Sequence, residues 1–226
     1  MLSKKEGSRF LFTYSECVPY DAKDFPNTNR GFDLDYRCAL MKKEPVKIPT
    51  PYPLTEPPEQ IAGRKSKEWS TREAEDCFAW FLANEGMRVQ HFLAFFKQVL
   101  PDDCREVEEF LLNLGQEYVE RLRAIHFSTP DANGRLQLTN QGIALASDAG
   151  LFVAHLLIKH SRSRAHWELL NDPGAFSHNR PVLTGFVHQL YLDPVGAIYE
   201  ARAVLNGKKS SRILKDAFVF WKDRLA

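Results

Sequence analysis

The chain has 226 residues, 44% of them hydrophobic and 26% charged, with 30 basic against 29 acidic side chains and a formal net charge of +1. That length is ample for a real core, and the charge balance removes the global electrostatic argument for a binder of nucleic acid or other polyanions. The first residues lack the apolar stretch of a secretory signal and no long apolar run occurs, so the expectation is a cytoplasmic protein without membrane association.

Cys17, Cys38, Cys77 and Cys104 are widely spaced with no C-x-x-C pair. A core of this size needs no disulfide framework, so reduced, unpaired thiols are expected. In chain order, Phe10 to Tyr14 is strand-like, and Phe32, Leu34, Tyr36, Cys38 and Leu40 alternate with polar or small residues at the period of a half-buried strand. Residues 1–44 therefore read as a β-containing segment. Six prolines between Pro45 and Pro58 impose an extended stretch, and 45–69 reads as a connector that crosses the surface or links two parts. Residues 70–226 read as a mainly helical domain with short strands.

Ser70-Thr71-Arg72-Glu73 has the capping-box form of a helix start. Ala74, Cys77, Phe78, Phe81 and Leu82 then form one apolar stripe, with Trp80 off it. The stripe resumes after Gly86 with Val89, Phe92, Leu93 and Phe96, which predicts one kinked helix or two helices. Pro101-Asp102-Asp103 opens a helix whose Val107, Phe110, Leu111, Leu114, Tyr118 and Leu122 face the core, with an acidic remainder. Asp131 to Gly134 is a turn, 135–138 a short strand, and a helix runs from about Gln141 to His160 with Leu145, Ala149, Phe152, Val153 and Leu156 as its stripe. Asp193-Pro194 supplies an N-cap and a proline first turn, Asn206-Gly207 a helix stop, and a last helix carries Leu214, Ala217, Phe218, Trp221 and Leu225. The whole predicts an α+β, helix-dominated fold of about six helices packed with a small sheet.

Chemistry concentrates between Asp148 and Pro194, which holds five of the seven histidines. His155 and His160 are five apart and sit roughly 140° apart around a helix, unlike a ligating H-E-x-x-H pair, so no metal site is expected. Gly-x-Ser-x-Gly and the phosphate loop G-x-x-x-x-G-K-[ST] are absent; Gly207-Lys208-Lys209-Ser210 resembles the end of the latter, but Arg202 stands where its first glycine would be. No cofactor is expected. Lys159, Arg162 and Arg164 form a basic cluster able to receive a phosphate or an acidic partner, although cations at a helix C-terminus also serve its macrodipole. Trp167, Glu168, His178 and Arg180 are the candidate binding pocket. If their two runs pair as strands, Glu168 and Arg180 can form an ion pair beside Trp167, either as a pocket rim or as a purely structural bridge.

Ser70 to Phe81 (STREAEDCFAWF), Asp148 to Phe152 (DAGLF), Trp167-Glu168, Asn179 to Phe186 (NRPVLTGF) and Asp193-Pro194 together resemble the successive blocks of a group of uncharacterised bacterial proteins, over about residue 69 to the C-terminus. The resemblance carries no ligand or catalytic residue. It implies a bacterial cytosolic protein, for which binding a protein partner, for instance as an immunity factor against a toxin, is a frequent role. The expectation is thus a non-enzymatic protein-binding module of immunity or antitoxin type; the alternative is an enzyme or small-ligand binder using Trp167, Glu168, His178 and Arg180.

Overall fold

The computed structural model describes residues 51–101, 106–161 and 164–226. The strand-like runs at 10–14 and 32–40, Cys17, Cys38, Cys104 and Arg162 lie outside the described residues. The fold is α+β and helix-dominated: α1 (Thr71–Phe95), α2 (Val107–Leu122), β1 (Ser128–Pro130), β2 (Leu136–Leu138), α3 (Asn140–Ser161), β3 (His166–Leu169), β4 (Pro181–Thr184), α4 (Gly196–Leu205) and α5 (Ile213–Lys222). The described residues thus hold five α-helices where about six were expected.

The difference arises at Gly86. A glycine inside a helix costs only about 1 kcal/mol relative to alanine, and burial of Cys77 and Phe81 before it and of Val89 and Phe92 after it keeps α1 continuous over 25 residues. Its start is the expected capping box: the Glu73 N–H donates to Ser70 Oγ at 3.3 Å while the Ser70 N–H donates to Glu73 Oε2 at 2.7 Å. Its end is a Schellman turn built without glycine, with Gln98 N–H donating to the Leu93 carbonyl and Lys97 held at a φ of 52°. Leu82, placed on the apolar stripe by its spacing, is 47% exposed; the buried face is narrower than that stripe.

The core is centred on α3, which packs against α1, α4 and α5, while α2 packs on α4 and α5. The helical spacing of one apolar stripe predicted a one-sided helix, yet Leu145, Ala149, Phe152, Val153 and Leu156 share burial with Gly142, Ala146, Asp148, Gly150, Leu151, Ala154 and Leu157. This is the all-round burial of a core helix. By length and apolarity α3 could cross a membrane, but most of it is buried inside the fold. Small residues permit the crowding: a Cβ on Gly150 would stand 2.5 Å from the Pro194 carbonyl oxygen. Tyr52, in the described part of the proline-rich stretch (residues 51–58), is buried in this core with its ring edge-on to Phe95 and Phe127.

Two small antiparallel sheets complete the unit. Asp131 Oδ1 accepts from the N–H groups of Asn133 and Arg135, closing the turn that pairs β1 with β2. In the second sheet Trp167 lies opposite Leu183 and Glu168 opposite Val182, so the two runs singled out in the sequence do pair as strands. Asn206-Gly207 stops α4 as expected, with Gly207 at a φ of 72° and Lys208 N–H donating to the Ala203 carbonyl.

Candidate functional site

The β3–β4 hairpin places the four candidate pocket residues on one supersecondary element but sends their side chains to different partners. Trp167 stands edge-on to Phe81 of α1, with ring centroids 4.8 Å apart. Glu168 accepts from His166 Nε2 at 2.7 Å and is exposed. Arg180 is buried; its Nη2 lies 3.2 Å from Asp193 Oδ2 and donates to the Phe176 carbonyl, and its guanidinium lies over the Phe176 ring. His178 is half-buried, with Nδ1 free of any hydrogen-bond partner. The expected Glu168–Arg180 ion pair is therefore not the one formed. The physical reason is local: each charge finds a nearer partner, Glu168 two residues away along its own strand and Arg180 in Asp193, which also holds the turn before the next helix.

Asp193 does both jobs at once. Its Oδ1 accepts from the Val195 N–H in the turn before α4, which starts at Gly196 rather than at the expected Pro194, while Oδ2 receives Arg180 and the Ser177 hydroxyl. A neighbouring side chain, Asn179, adopts a φ of 61° and donates to the backbone oxygens of Ser66 and Trp69, tying the hairpin loop to the turn before α1. These contacts make Arg180, Asn179 and Asp193 braces of the loop.

Arg164 of the basic cluster is likewise engaged. Arg164 donates from Nε to the Ser161 carbonyl, at the end of α3, and from Nη1 to the backbone oxygen of Ala226. Lys159 is exposed in the last turn of α3. His155, weighed above as a metal ligand, faces Glu85 of α1 at 3.5 Å, and no group of three or more metal-ligating side chains occurs among the described residues. Cys77 is a buried free thiol, pushed up to about 11 by desolvation.

A further surface open to solvent lies at the other end of β4. The loop after it carries three residues in the left-handed region, Gly185, His188 and Gln189. Only at Gly185 does contact demand the glycine, since a Cβ there would stand 2.3 Å from the Arg164 carbonyl oxygen. The loop is pinned by Val187 N–H to the Arg224 carbonyl and by the Phe186–Leu225 bridge. Phe186 packs on Trp221, which packs on Phe220, and the Arg224 guanidinium covers the outer face of Phe220 at 3.6 Å. Val187 and Leu190 in the loop and Phe220 on α5 are 36%, 38% and 43% exposed. Beside them is an open depression of about 370 Å³, bordered by Glu168, Leu170, Asp172, Phe186, Leu190 and Tyr191 among others. Of the four expected pocket residues, Glu168 borders it.

The sequence reading missed a buried polar triad. Asp148, 2% exposed on α3, accepts from Tyr52 Oη at 2.7 Å and from Arg88 Nε at 2.7 Å. Burial pushes the Asp148 carboxyl up, opposed chiefly by the Arg88 charge, and burial with the adjacent carboxylate pushes the Tyr52 hydroxyl strongly up. The signal was available: an aspartate inside the apolar run from Leu145 to Leu157 is costly unless partnered. The triad is enclosed by core aromatics and clamps α1, α3 and the segment at Tyr52 together. No protein-family model matches the chain, and neither the curated proteins nor the solved structures include a significant match to it.

Proposed function

We propose that the protein is a non-enzymatic, cytoplasmic protein-binding module, of immunity or antitoxin type, and that its partner docks on the loop after β4 and the outer face of α5. The carrying observation is the exposure of Val187 and Leu190 in the loop and of Phe220 on α5, two segments joined by the Val187–Arg224 backbone bond and the Phe186–Trp221 contact. Exposed apolar residues scattered singly need no explanation, but an apolar surface on two joined segments beside a concavity has the make-up of an interface core. The loop is also held in place by backbone bonds and tolerates two non-glycine residues at positive φ, and conformational strain of that kind gathers at recognition sites. The resemblance to bacterial proteins makes immunity and antitoxin pairs the first class of partner to try.

The test places a photo-crosslinking amino acid in turn at Val187, Leu190 and Phe220, with Arg135 on the far turn as control, in cells that make the protein. One discrete protein joined from the three patch positions and not from position 135, forming a complex of fixed stoichiometry when purified, is the expected result. Adducts that are absent, or equal at the control position, overturn the proposal. The alternative reading, a small-ligand site, draws on the depression alone, whose volume falls at the low end of the roughly 300–1,000 Å³ of ligand pockets; a small molecule that protects the patch from crosslinking would favour it.

A further inference from the structure

The depression beside the patch differs from the patch in one respect: charge. Its border contains two carboxylates, Glu168 and Asp172, and no lysine, arginine or histidine, although His166 pairs with Glu168 Oε1 from just outside it. Each carboxylate has one oxygen engaged locally, Glu168 Oε1 with His166 and Asp172 Oδ1 with the Gly174 N–H. These contacts orient the two groups and leave the other oxygen of each without a hydrogen-bond partner among the described residues. The rest of the wall combines the apolar and aromatic side chains of Leu170, Phe186, Leu190 and Tyr191 with the polar side chains of Thr184 and Gln189 and with Gly185. An aliphatic stem ending in a cation matches such a cavity: its methylenes lie along the apolar wall while a guanidinium or ammonium meets the carboxylates, and a guanidinium also stacks on aromatic faces.

We infer that the depression receives an arginine or lysine side chain of the partner polypeptide, whose flanking apolar residues rest on Leu190 and Val187. This rests on the protein-binding reading above. It selects a partner segment of the form apolar-cation-apolar and makes the carboxylates the specificity element, since an acidic residue at the same position would meet like charge.

The full-length protein labelled with ¹⁵N, titrated with the blocked tripeptides acetyl-Leu-Arg-Leu-amide and acetyl-Leu-Glu-Leu-amide and with free arginine, tests this. The arginine tripeptide should produce saturable shifts confined to the backbone resonances of Leu170 to Asp172 and Thr184 to Tyr191, and the glutamate tripeptide should produce none. Combining Glu168→Gln with Asp172→Asn should weaken the arginine tripeptide at least tenfold while the rest of the spectrum overlays that of the parent. Both residues are exposed, so this variant keeps the fold. Equal binding of the glutamate tripeptide, unchanged affinity in the neutralised variant, absence of shifts at millimolar tripeptide, or free arginine binding as well as the tripeptide would each overturn the inference. Failure here is separable from failure of the parent reading: a partner that still needs Leu190 but ignores the two carboxylates sinks only the cationic side chain.

Discussion

Removing the Arg88 guanidinium isolates a carboxylate in the centre of the fold. Asp148 is 2% exposed, and Arg88 supplies contacts at 2.7 Å from Nε and 2.5 Å from Nη2, while Tyr52 supplies the third. Breaking a buried pair by deleting one partner costs about 3–5 kcal/mol, because the remaining charge keeps its desolvation penalty. Arg88→Met should therefore lose about that much at neutral pH, a large share of the total stability of an ordinary domain. Tyr52→Phe keeps the ring packed on Phe95 and Phe127 and removes one bond to a charged acceptor, for about 1.5–3 kcal/mol. The triple change Tyr52→Phe, Arg88→Met and Asp148→Leu leaves no orphaned group and should cost less than the sum of the three single changes by roughly 2–3 kcal/mol. The sign with pH is fixed by the direction of the Asp148 shift. Burial raises its folded pKa above the unfolded value, so a proton taken up in acid relieves the Arg88→Met variant. Its deficit is smallest at acid pH and grows as pH rises from about 4 through the folded pKa. Denaturant unfolding of the parent, the singles and the triple at two pH values measures all of these. Additivity within about 0.5 kcal/mol, or a deficit that shrinks as pH rises, would refute the reasoning.

Lys97→Gly should stabilise by up to about 1 kcal/mol in the same unfolding assay, because Lys97 is exposed and ends α1 at a φ of 52°; a loss would show that its side chain makes a contact worth more than the backbone strain. Ser70→Ala should cost on the order of 1 kcal/mol through the lost cap, and Ser70→Thr should restore most of it. Gly150→Ala should destabilise by roughly 1–3 kcal/mol, since its Cβ would meet the Pro194 carbonyl oxygen at 2.5 Å and the Ala197 Cβ at 2.9 Å; a neutral result would mean that α3 and α4 separate easily. The carbonyl of Arg164, and then Glu168, hold the His166 imidazole above its ordinary 6.5. Its contribution to stability is thus full below 6.5 and is lost as pH rises through the folded pKa. A histidine-specific NMR titration should find a midpoint above 6.5 that falls in Glu168→Gln, and a midpoint at or below 6.5 in the parent would contradict the hydrogen-bonding.

Local signals carried much of the fold and little of the site. The cap at Ser70 and the Asn206-Gly207 stop are each decided within four residues by backbone hydrogen bonding and stand where expected, whereas Asp193 holds the turn before α4, which begins at Gly196. The short β1 partner of the 135–138 strand and the continuity of α1 past Gly86 depend on packing that no local window contains. Site residues suffered more. Arg180 looked like a partner for Glu168 because both interrupt short apolar runs, but Asp193 had already been accounted for as a cap, which hid its second oxygen. The Tyr52–Arg88–Asp148 triad joins residues 60 and 96 positions apart, so only the oddity of an aspartate in an apolar helix hinted at it. Exposure of Val187, Leu190 and Phe220 was equally hidden, since an apolar residue looks alike in sequence whether it faces core or solvent.

Partner binding is assigned to the surface of Val187, Leu190 and Phe220, and Leu190→Asp probes it most directly. Leu190 is exposed at a loop tip, so the charge should leave the unfolding midpoint essentially unchanged. Against the partner identified by crosslinking, titration calorimetry should show affinity reduced at least a hundredfold, about 2.7 kcal/mol at 25 °C. Parent-like affinity in a fully folded Leu190→Asp protein would contradict the claim that this surface is where the protein binds.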